Sequence, residues 1–445
     1  MGTQTARLPI IIVQGGQWGS EAKGLVAHKL TLERAVDVAI RTGTVNAGHT
    51  VYHKNRAYAM QQLPVSWIKK DCLLVLGPGA FISPEILARE IEWIAEATNK
   101  DIHQVLDRIY IDYRCGIHLP AHTDRAHTAD RHHKIGTTGK GCSEAVVDKV
   151  MGRTRSPLPL FRDWLAGKNG IWKQIADRVT DAVTLSNLYY DQGFQLLVEG
   201  TQGTLLDLHL GDYPYTSHKQ TQAASWLAEA GLAPTLPLDL WLVLRTYPIR
   251  VAGNSGPMPD EISWSKLART INDKLGVDRV DEGALKRWCN ALTLARDENW
   301  PECTTADPSY WTLAQREQWP EAASELHRVA FNSLQPEDQE ELKKLFEFTT
   351  VTKKLRRVAN WSWPTTLHTL MLNRPSHIAL TFMNYKYPEL WGAGAATVMT
   401  HHHVWDEFVE QVNQASASKG AGPVGMMSFG PQLEATHMGI PSDRG

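Results

Sequence analysis

Residues 16–24 read G-Q-W-G-S-E-A-K-G and follow the apolar run I-I-I-V at 10–13. A glycine-rich turn from a buried strand into a helix presents backbone N–H groups and the positive end of the helix dipole. Lys23 adds a point charge, which completes the inventory of a phosphate site. The usual phosphate-loop spacing places a glycine six residues before the lysine and a hydroxyl after it; here those places hold Gln17 and Gly24. Four further segments are Gly/Thr-rich, polar and flanked by apolar runs: N-A-G-H-T at 46–50, G-T-T-G-K-G at 136–141, V-E-G-T-Q-G-T-L-L-D at 198–207 and T-T-V-T-K-K-L-R-R at 349–357. Each supplies backbone amides, hydroxyls and an amide or cation, the groups that hold a phosphate and a purine edge.

Short apolar runs must position these loops. I-I-I-V at 10–13, L-L-V-L at 73–76, Q-L-L-V-E at 195–199, L-W-L-V-L at 240–244 and H-I-A-L-T-F at 377–382 are apolar throughout. That pattern predicts strands covered on both faces, as in a parallel sheet. Helical spacing lies between them, for example over 84–97 after a Ser83-Pro84 start signal. The expected fold is α/β: one large, doubly wound, mostly parallel sheet with a degenerate phosphate loop. Residues 265–345 are rich in charge and tryptophan (Trp288, Trp300, Trp311, Trp319) and lack a convincing buried strand. They are expected to form a helical insertion within one domain spanning 1–445.

The 445 residues carry 46 Lys+Arg against 48 Asp+Glu, a net charge of -2. That balance argues against affinity built on a nucleic-acid backbone or an anionic membrane, and points to small-molecule partners. Five cysteines without a C-x-x-C pair indicate neither a disulfide framework nor a structural zinc site, and a reducing cytoplasm fits them. No run of about 18 apolar residues occurs. The runs His132-His133 and His401-His402-His403 are read as solvated surface, because adjacent residues on a helix point in different directions.

Taken in order, G-Q-W-G-S-E-A-K-G, N-A-G-H-T, G-T-T-G-K-G, E-G-T-Q-G-T-L-L-D followed by Y-P-Y-T-S, T-V-T-K-K-L-R-R, and S-F-G-P at 428–431 resemble the motif series of the adenylosuccinate synthetase family. The resemblance skips the 265–345 stretch. It implies a homodimeric, Mg²⁺-dependent ligase that phosphorylates a purine 6-oxygen and then displaces the phosphate with the amine of L-aspartate. His49 is implied as the group stabilising charge at the 6-oxygen, and Lys23 sits on the transferring phosphate. The Gly48 carbonyl and Ser20 occupy the metal-ligand positions. Asn46, Thr138, Gln202, Thr216 and Lys354 surround the substrate nucleotide, and Thr352 and Arg356 hold L-aspartate. Gly19, Glu21, Ala22, Lys23, Gly24, Asn384, Ser428, Gly430 and Pro431 take the donor nucleotide. The family completes its phosphate site with an arginine from the second subunit; here Gly152 holds the strict position and Arg153 stands next to it.

Three departures sharpen the expectation. The family's loop reads G-D-E-G-K-G, and its aspartate takes the proton from purine N1; Ser20 stands in that place. A serine hydroxyl is neutral at pH 7, no unassisted base and a weak magnesium ligand. It leaves room for a purine bearing a 2-amino group beside N1, as in guanine, and resembles the phage branch of the family, which joins aspartate to dGMP on the route to diaminopurine DNA. A water held by Ser20 is the expected acceptor of the N1 proton. Next, the guanine-reading stretch L-T-K-L-D is matched by L-T-F-M-N at 380–384. Asn384 can donate to adenine N1 and accept from its 6-amino group, so the expected donor is ATP or dATP. Finally, Lys354 replaces an arginine that bridges aspartate and ribose, exchanging a planar fork for a point charge, which suits a deoxynucleotide. The predicted reaction condenses L-aspartate with dGMP. The alternatives are an adenylosuccinate synthetase acting on IMP with GTP, and a nucleotide-binding paralogue without turnover.

Overall fold

A computed structural model describes residues 7–54, 56–129, 135, 137–251, 253, 255–295, 322–349 and 354–438. The strands of its main sheet are β1 (Ile10–Gly15), β2 (Val38–Gly43), β5 (Leu73–Ile82), β6 (Ile109–Asp112), β7 (Gly116–Ile117), β8 (Val179–Thr180), β9 (Leu196–Glu199), β10 (Leu238–Arg245), β14 (His377–Thr381), β15 (Val424–Ser428) and β16 (Thr436–Met438). Their order is β16-β15-β14-β10-β1-β9-β2-β5-β6-β8, with β7 paired to β5. Every pairing is parallel except β15 with β16. A hairpin of β3 (His49–His53) and β4 (Arg56–Met60) and a small sheet of β11 (Ile249–Arg250), β13 (Arg357–Ala359) and β12 (Glu261–Ile262) complete the strands.

The continuous apolar runs are explained by burial on both faces. On one face Ile11, Val13, Ala39, Leu74 and Leu197 pack with Val26 and Leu30 of helix α1 (Lys23–Glu33). On the other, Ile10, Ile12, Val38, Ile40 and Val198 pack with Trp226 and Leu227 of the helix Ala223–Ala230. Residues alternate between the two sets along each strand, as a pleat requires.

The regular elements described within 265–345 are helices, Trp264–Leu275, Glu282–Leu294, Ala322–Asn332 and Pro336–Lys343. They share a core of their own: Leu267, Ile271, Leu285, Trp288 and Leu342 pack with Ile262 and Val358 of the small sheet and with Tyr385. Trp300, Trp311 and Trp319 lie outside the described residues. The described cysteines Cys72, Cys115, Cys142 and Cys289 are free thiols. Among the described residues no helix is long and apolar enough to cross a membrane.

In an open α/β sheet, ligands bind beyond the carboxyl ends of the strands. Six adjacent strands, β15-β14-β10-β1-β9-β2, end at Ser428, Thr381, Arg245, Gly15, Glu199 and Gly43. The loops after β15, β14, β1, β9 and β2 carry S-F-G-P, Asn384, the phosphate loop, Gln202 and N-A-G-H-T, and Arg245 closes β10 among them. The sheet therefore sets out the site in a line, with the phosphate loop at its middle.

Candidate active site

The phosphate loop is shaped by a buried carboxylate. Glu21 is fully buried, and its Oε1 accepts from the backbone N–H groups of Gln17 (3.1 Å) and Gly19 (2.8 Å). Its Oε2 pairs with Lys23 Nζ at 2.8 Å, and Nζ also donates to the Gln202 carbonyl. These bonds hold Gly19, Ser20 and Ala22 in the left-handed region, at φ 88°, 60° and 63°. For Ser20 and Ala22 that conformation costs about 1–3 kcal/mol each. Thr381 Oγ1 fixes the Glu21 carbonyl (2.9 Å), and Thr369 Oγ1 fixes that of Gly16 (2.7 Å). Gln17, which breaks the usual loop spacing, bridges to β10: its side chain donates to the Arg245 carbonyl and accepts from the Arg245 N–H, each at 3.0 Å. Gly24 is required by close approach, because a Cβ there would stand 2.8 Å from the Thr50 carbonyl and 3.0 Å from His49 Cβ.

His49 opens β3 and is 4 % exposed. Its Nδ1 lies 2.9 Å from Glu199 Oε2, and its Nε2 has no hydrogen-bond partner among the described residues. Glu199 ends β9; its Oε1 accepts from Val65 N–H at 2.7 Å, and Arg41 Nη1 stands 3.5 Å from Oε2. Burial, then the nearby Arg41 and Lys23, hold the His49 imidazole well below its usual range. Burial pushes the Glu199 carboxyl up to about 7, against the pull of Arg41 and the Val65 amide. Donation of Nδ1–H to an ionised Glu199 leaves Nε2 bare, and one proton gained by the pair turns Nε2 into a donor.

Asn46 and Gln202 meet at the β2 and β9 ends. Gln202 stands at φ 55° and donates from Nε2 to Asn46 Oδ1 at 3.0 Å, an oxygen that also accepts from Thr44 Oγ1 at 2.7 Å. Across the phosphate loop, Arg356 Nη1 donates to Ser20 Oγ at 3.0 Å. Arg245 is gripped by Glu347, which accepts from Nη1 at 3.1 Å, from Nη2, and from the Tyr385 hydroxyl at 2.9 Å. The Arg245 guanidinium lies 3.5 Å from the centroid of the Phe382 ring. Burial works against ionisation of Glu347, but the Arg245 guanidinium prevails and draws the carboxyl below its usual range. Asn384 is 3 % exposed, on the short helix Met383–Lys386 entered through a left-handed Phe382. Beside it, Ser428 Oγ donates to the Gly430 carbonyl at 2.7 Å, closing the turn of S-F-G-P.

A cavity of about 1670 Å³ joins these wings. It is lined by every residue expected above at the substrate, aspartate, donor and metal positions apart from Thr352, which lies outside the described residues. Arg153 is not among the lining residues; its Nε donates to the Val150 carbonyl at 2.9 Å. His132 and His133 lie outside the described residues, and His402 pairs with Asp406 at 2.6 Å. Sequence reasoning missed Arg41, Glu199, Arg245 and Glu347, and gave Glu21 no structural task. A signal was present: Arg41, Glu199 and Arg245 are charges at the carboxyl ends of apolar strands, where an open sheet keeps its site.

Magnesium takes hard oxygen ligands and is usually bound through one or two carboxylates together with substrate phosphates. Among the described residues no group of three or more His, Cys, Asp or Glu side chains could hold a metal ion. Ser20 and Gly48 line the cavity and offer one carbonyl and one hydroxyl, whose oxygen keeps a second lone pair beside its bond from Arg356 Nη1 at 3.0 Å, whereas Glu21 is committed to Gln17, Gly19 and Lys23. This donor set fits an ion that arrives on nucleotide phosphates and takes protein oxygens to complete its shell.

The chain matches the family model described as Adenylosuccinate synthetase over residues 12–163 and 161–387. It is 35% identical to the adenylosuccinate synthetase of Thermococcus onnurineus over 264 residues, 59% of this chain and 72% of that protein. With the enzyme of Methanococcus vannielii it shares 38% identity over 268 residues, 60% of this chain and 72% of the relative. Among solved structures, the fold is similar to that of the cyanophage S-2L succinoaminodeoxyadenylate synthetase bound to dGMP and dATP as an energy donor. That likeness has a TM-score of 0.65 and 21% identity and covers 97% of this chain and 96% of the other. The fully ligated adenylosuccinate synthetase of Plasmodium falciparum gives a TM-score of 0.68 at 16% identity, covering 97% and 100%. At these identities the two structures speak for the fold.

Proposed function

The chain belongs to the adenylosuccinate synthetase family and is a carbon–nitrogen ligase; from that premise we propose that it condenses L-aspartate with dGMP, using ATP or dATP. The product is N6-succino-2-amino-2'-deoxyadenylate, an intermediate on the way to diaminopurine DNA, released with ADP or dADP and phosphate. The substrate assignment rests on position 20 of the phosphate loop, a small and neutral serine, which in this reading lies against the purine edge. The nearest loop carboxylate, Glu21, is spoken for by two backbone amides and Lys23. An inosinate ring wants an acid at that edge, whereas a guanine edge brings an extra donor and extra bulk. That the cyanophage synthetase of the same fold holds dGMP and dATP supports the view that such a scaffold accepts this pair.

In this reading the γ-phosphoryl group passes from the donor to the guanine 6-oxygen as the N1 proton leaves to a water on Ser20. The amine of L-aspartate then forms the C6–N bond, and the C6–O bond to the phosphoryl group breaks. Lys23 neutralises the transferring phosphate, and His49 Nε2, protonated through the Glu199 pair, donates to the developing negative charge at the 6-oxygen. Asn46, Thr138, Gln202 and Thr216 orient the substrate nucleotide. Asn384, Ser428, Gly430 and Pro431 receive the donor base. Thr352 and Arg356 hold L-aspartate, with Lys354 beside the substrate nucleotide. Ser20 Oγ and the Gly48 carbonyl would hold Mg²⁺ carried in on the donor's phosphates, and the ion would supply charge neutralisation there. Two chains form a homodimer in the cytoplasm, with Arg153 offered to the partner's phosphate site. One domain of residues 1–445, with 265–345 as a helical insertion, carries the whole reaction.

The test is a side-by-side assay of dGMP and IMP, each with ATP, dATP and GTP, followed by phosphate release and product mass. Aspartate-dependent turnover of dGMP with an adenine donor is expected. Preferential turnover of IMP with GTP sinks the substrate assignment.

A further inference from the structure

Ser20 Oγ is held by a guanidinium from 336 positions away, that of Arg356, at 3.0 Å. Arg356 stands at the described base of its loop. Its N–H donates to the Glu347 carbonyl at 2.8 Å, Leu355 bridges to Phe348, and Nε lies 3.4 Å from the Phe348 carbonyl. Arg245 reaches the backbone of the same serine, with Nη1 3.5 Å from the Ser20 carbonyl, and is itself fixed by Glu347. Ser20 thus contacts two arginines, one through its hydroxyl and the other through its carbonyl, in a left-handed conformation.

We propose that Ser20 is a positioning residue for the second substrate: its hydroxyl fixes the Arg356 guanidinium, so that the remaining N–H groups present a fork to a carboxylate of L-aspartate. The inference rests on the reading of Arg356 as an aspartate-binding residue. A guanidinium carries five N–H donors in a rigid plane. One Nη1 hydrogen on Ser20 and the Nε hydrogen toward Phe348 leave the second Nη1 hydrogen and both on Nη2 for a bidentate carboxylate. Rotamer freedom that Arg356 would lose on binding is lost already in the free protein. The hydroxyl orients the cation without neutralising it. The small neutral residue that makes room for a 2-amino group on the first substrate is in this way also what keeps the arginine of the second substrate in place.

The experiment is a double-mutant cycle of Ser20→Ala and Arg356→Lys, reading KM for L-aspartate separately from kcat and from the nucleotide KM values. It uses whichever purine monophosphate the full-length protein turns over, so failure of dGMP as a substrate overturns the substrate assignment and leaves this test intact. Loss of a hydrogen bond to a charged group predicts an aspartate KM raised about tenfold in Ser20→Ala. The change vanishes in the Arg356→Lys background, because the lysine ammonium no longer reaches the serine. Ser20→Asn, whose carboxamide oxygen accepts a hydrogen bond and whose backbone tolerates a left-handed φ, restores the aspartate KM to within about threefold of wild type. An aspartate KM that stays within twofold in Ser20→Ala overturns the proposal, as does an equal rise with and without Arg356.

Discussion

Glu21→Gln is a near-isosteric change that removes one charge from the centre of the phosphate loop. The glutamine oxygen can still accept from the Gln17 and Gly19 amides, but its NH₂ would oppose Lys23 Nζ, which now sits 2.8 Å from a carboxylate oxygen. Both side chains are at most 4 % exposed, so solvent cannot take over the lost partner. Breaking a buried ion pair by removing one member costs about 3–5 kcal/mol. The pair also holds Ser20 and Ala22 in their left-handed conformations, and relaxation of that strain shifts Lys23 from the transferring phosphate. A displaced charge in such a site lowers kcat by about 10²–10³. The control is Glu33→Gln on the helix that follows the loop, where a Lys29–Glu33 pair at 3.0 Å has its carboxylate 47% exposed. Exposed pairs of this kind contribute at most about 0.5 kcal/mol. Urea unfolding and phosphate-release assays on the three proteins decide the matter. If Glu21→Gln stays within about 1 kcal/mol of wild type with an unchanged kcat, Glu21 is not what organises the loop.

Asn384→Asp puts an acceptor where the adenine N1 needs a donor, and donor preference is expected to move from ATP toward GTP by about tenfold or more; competition between the two donors in one assay reads the shift, and no movement refutes the assignment. His49→Ala takes the donor from the 6-oxygen and is expected to lower phosphoryl transfer by about 10²–10³ while leaving nucleotide binding within a few-fold, measured by rapid quench and by titration. Burial, and then the nearby His53, lower His28 from 6.5 to about 4. Its unfolded form therefore takes up a proton below pH 6.5 that the folded form refuses. The stability this residue contributes is complete above pH 6.5 and is lost as pH falls through about 4. Unfolding free energies at pH 7.5 and 5.0 should show an acid loss about 2 kcal/mol smaller in His28→Asn than in wild type; equal losses would contradict the burial argument.

Local chemistry in the chain determined much of this. Continuous apolar runs announced strands covered on both faces, and the polar, glycine-rich stretches between them announced the loops of the site, because periodicity and backbone freedom are properties of neighbouring residues. H-I-A-L-T-F ran one residue long: Phe382 turns into the left-handed region to seat Asn384, which no alternation pattern reveals. The line from S-F-G-P through the phosphate loop to N-A-G-H-T was decided by the sheet order, since segments at 424–428, 10–15 and 38–43 become near neighbours only through parallel pairing. Glu21 looked like one more loop residue and proved to be the loop's internal anchor, because whether a carboxylate points into solvent or into its own backbone depends on what covers it. Most of all, the chain displayed a serine where a relative carries an acid, and composition alone made that an absence. Only the folded arrangement, with Arg356 and Arg245 delivered to Ser20 from distant strands and loops, gives the hydroxyl a partner: hydrogen bonds act over about 3 Å, and the sequence does not order residues by distance.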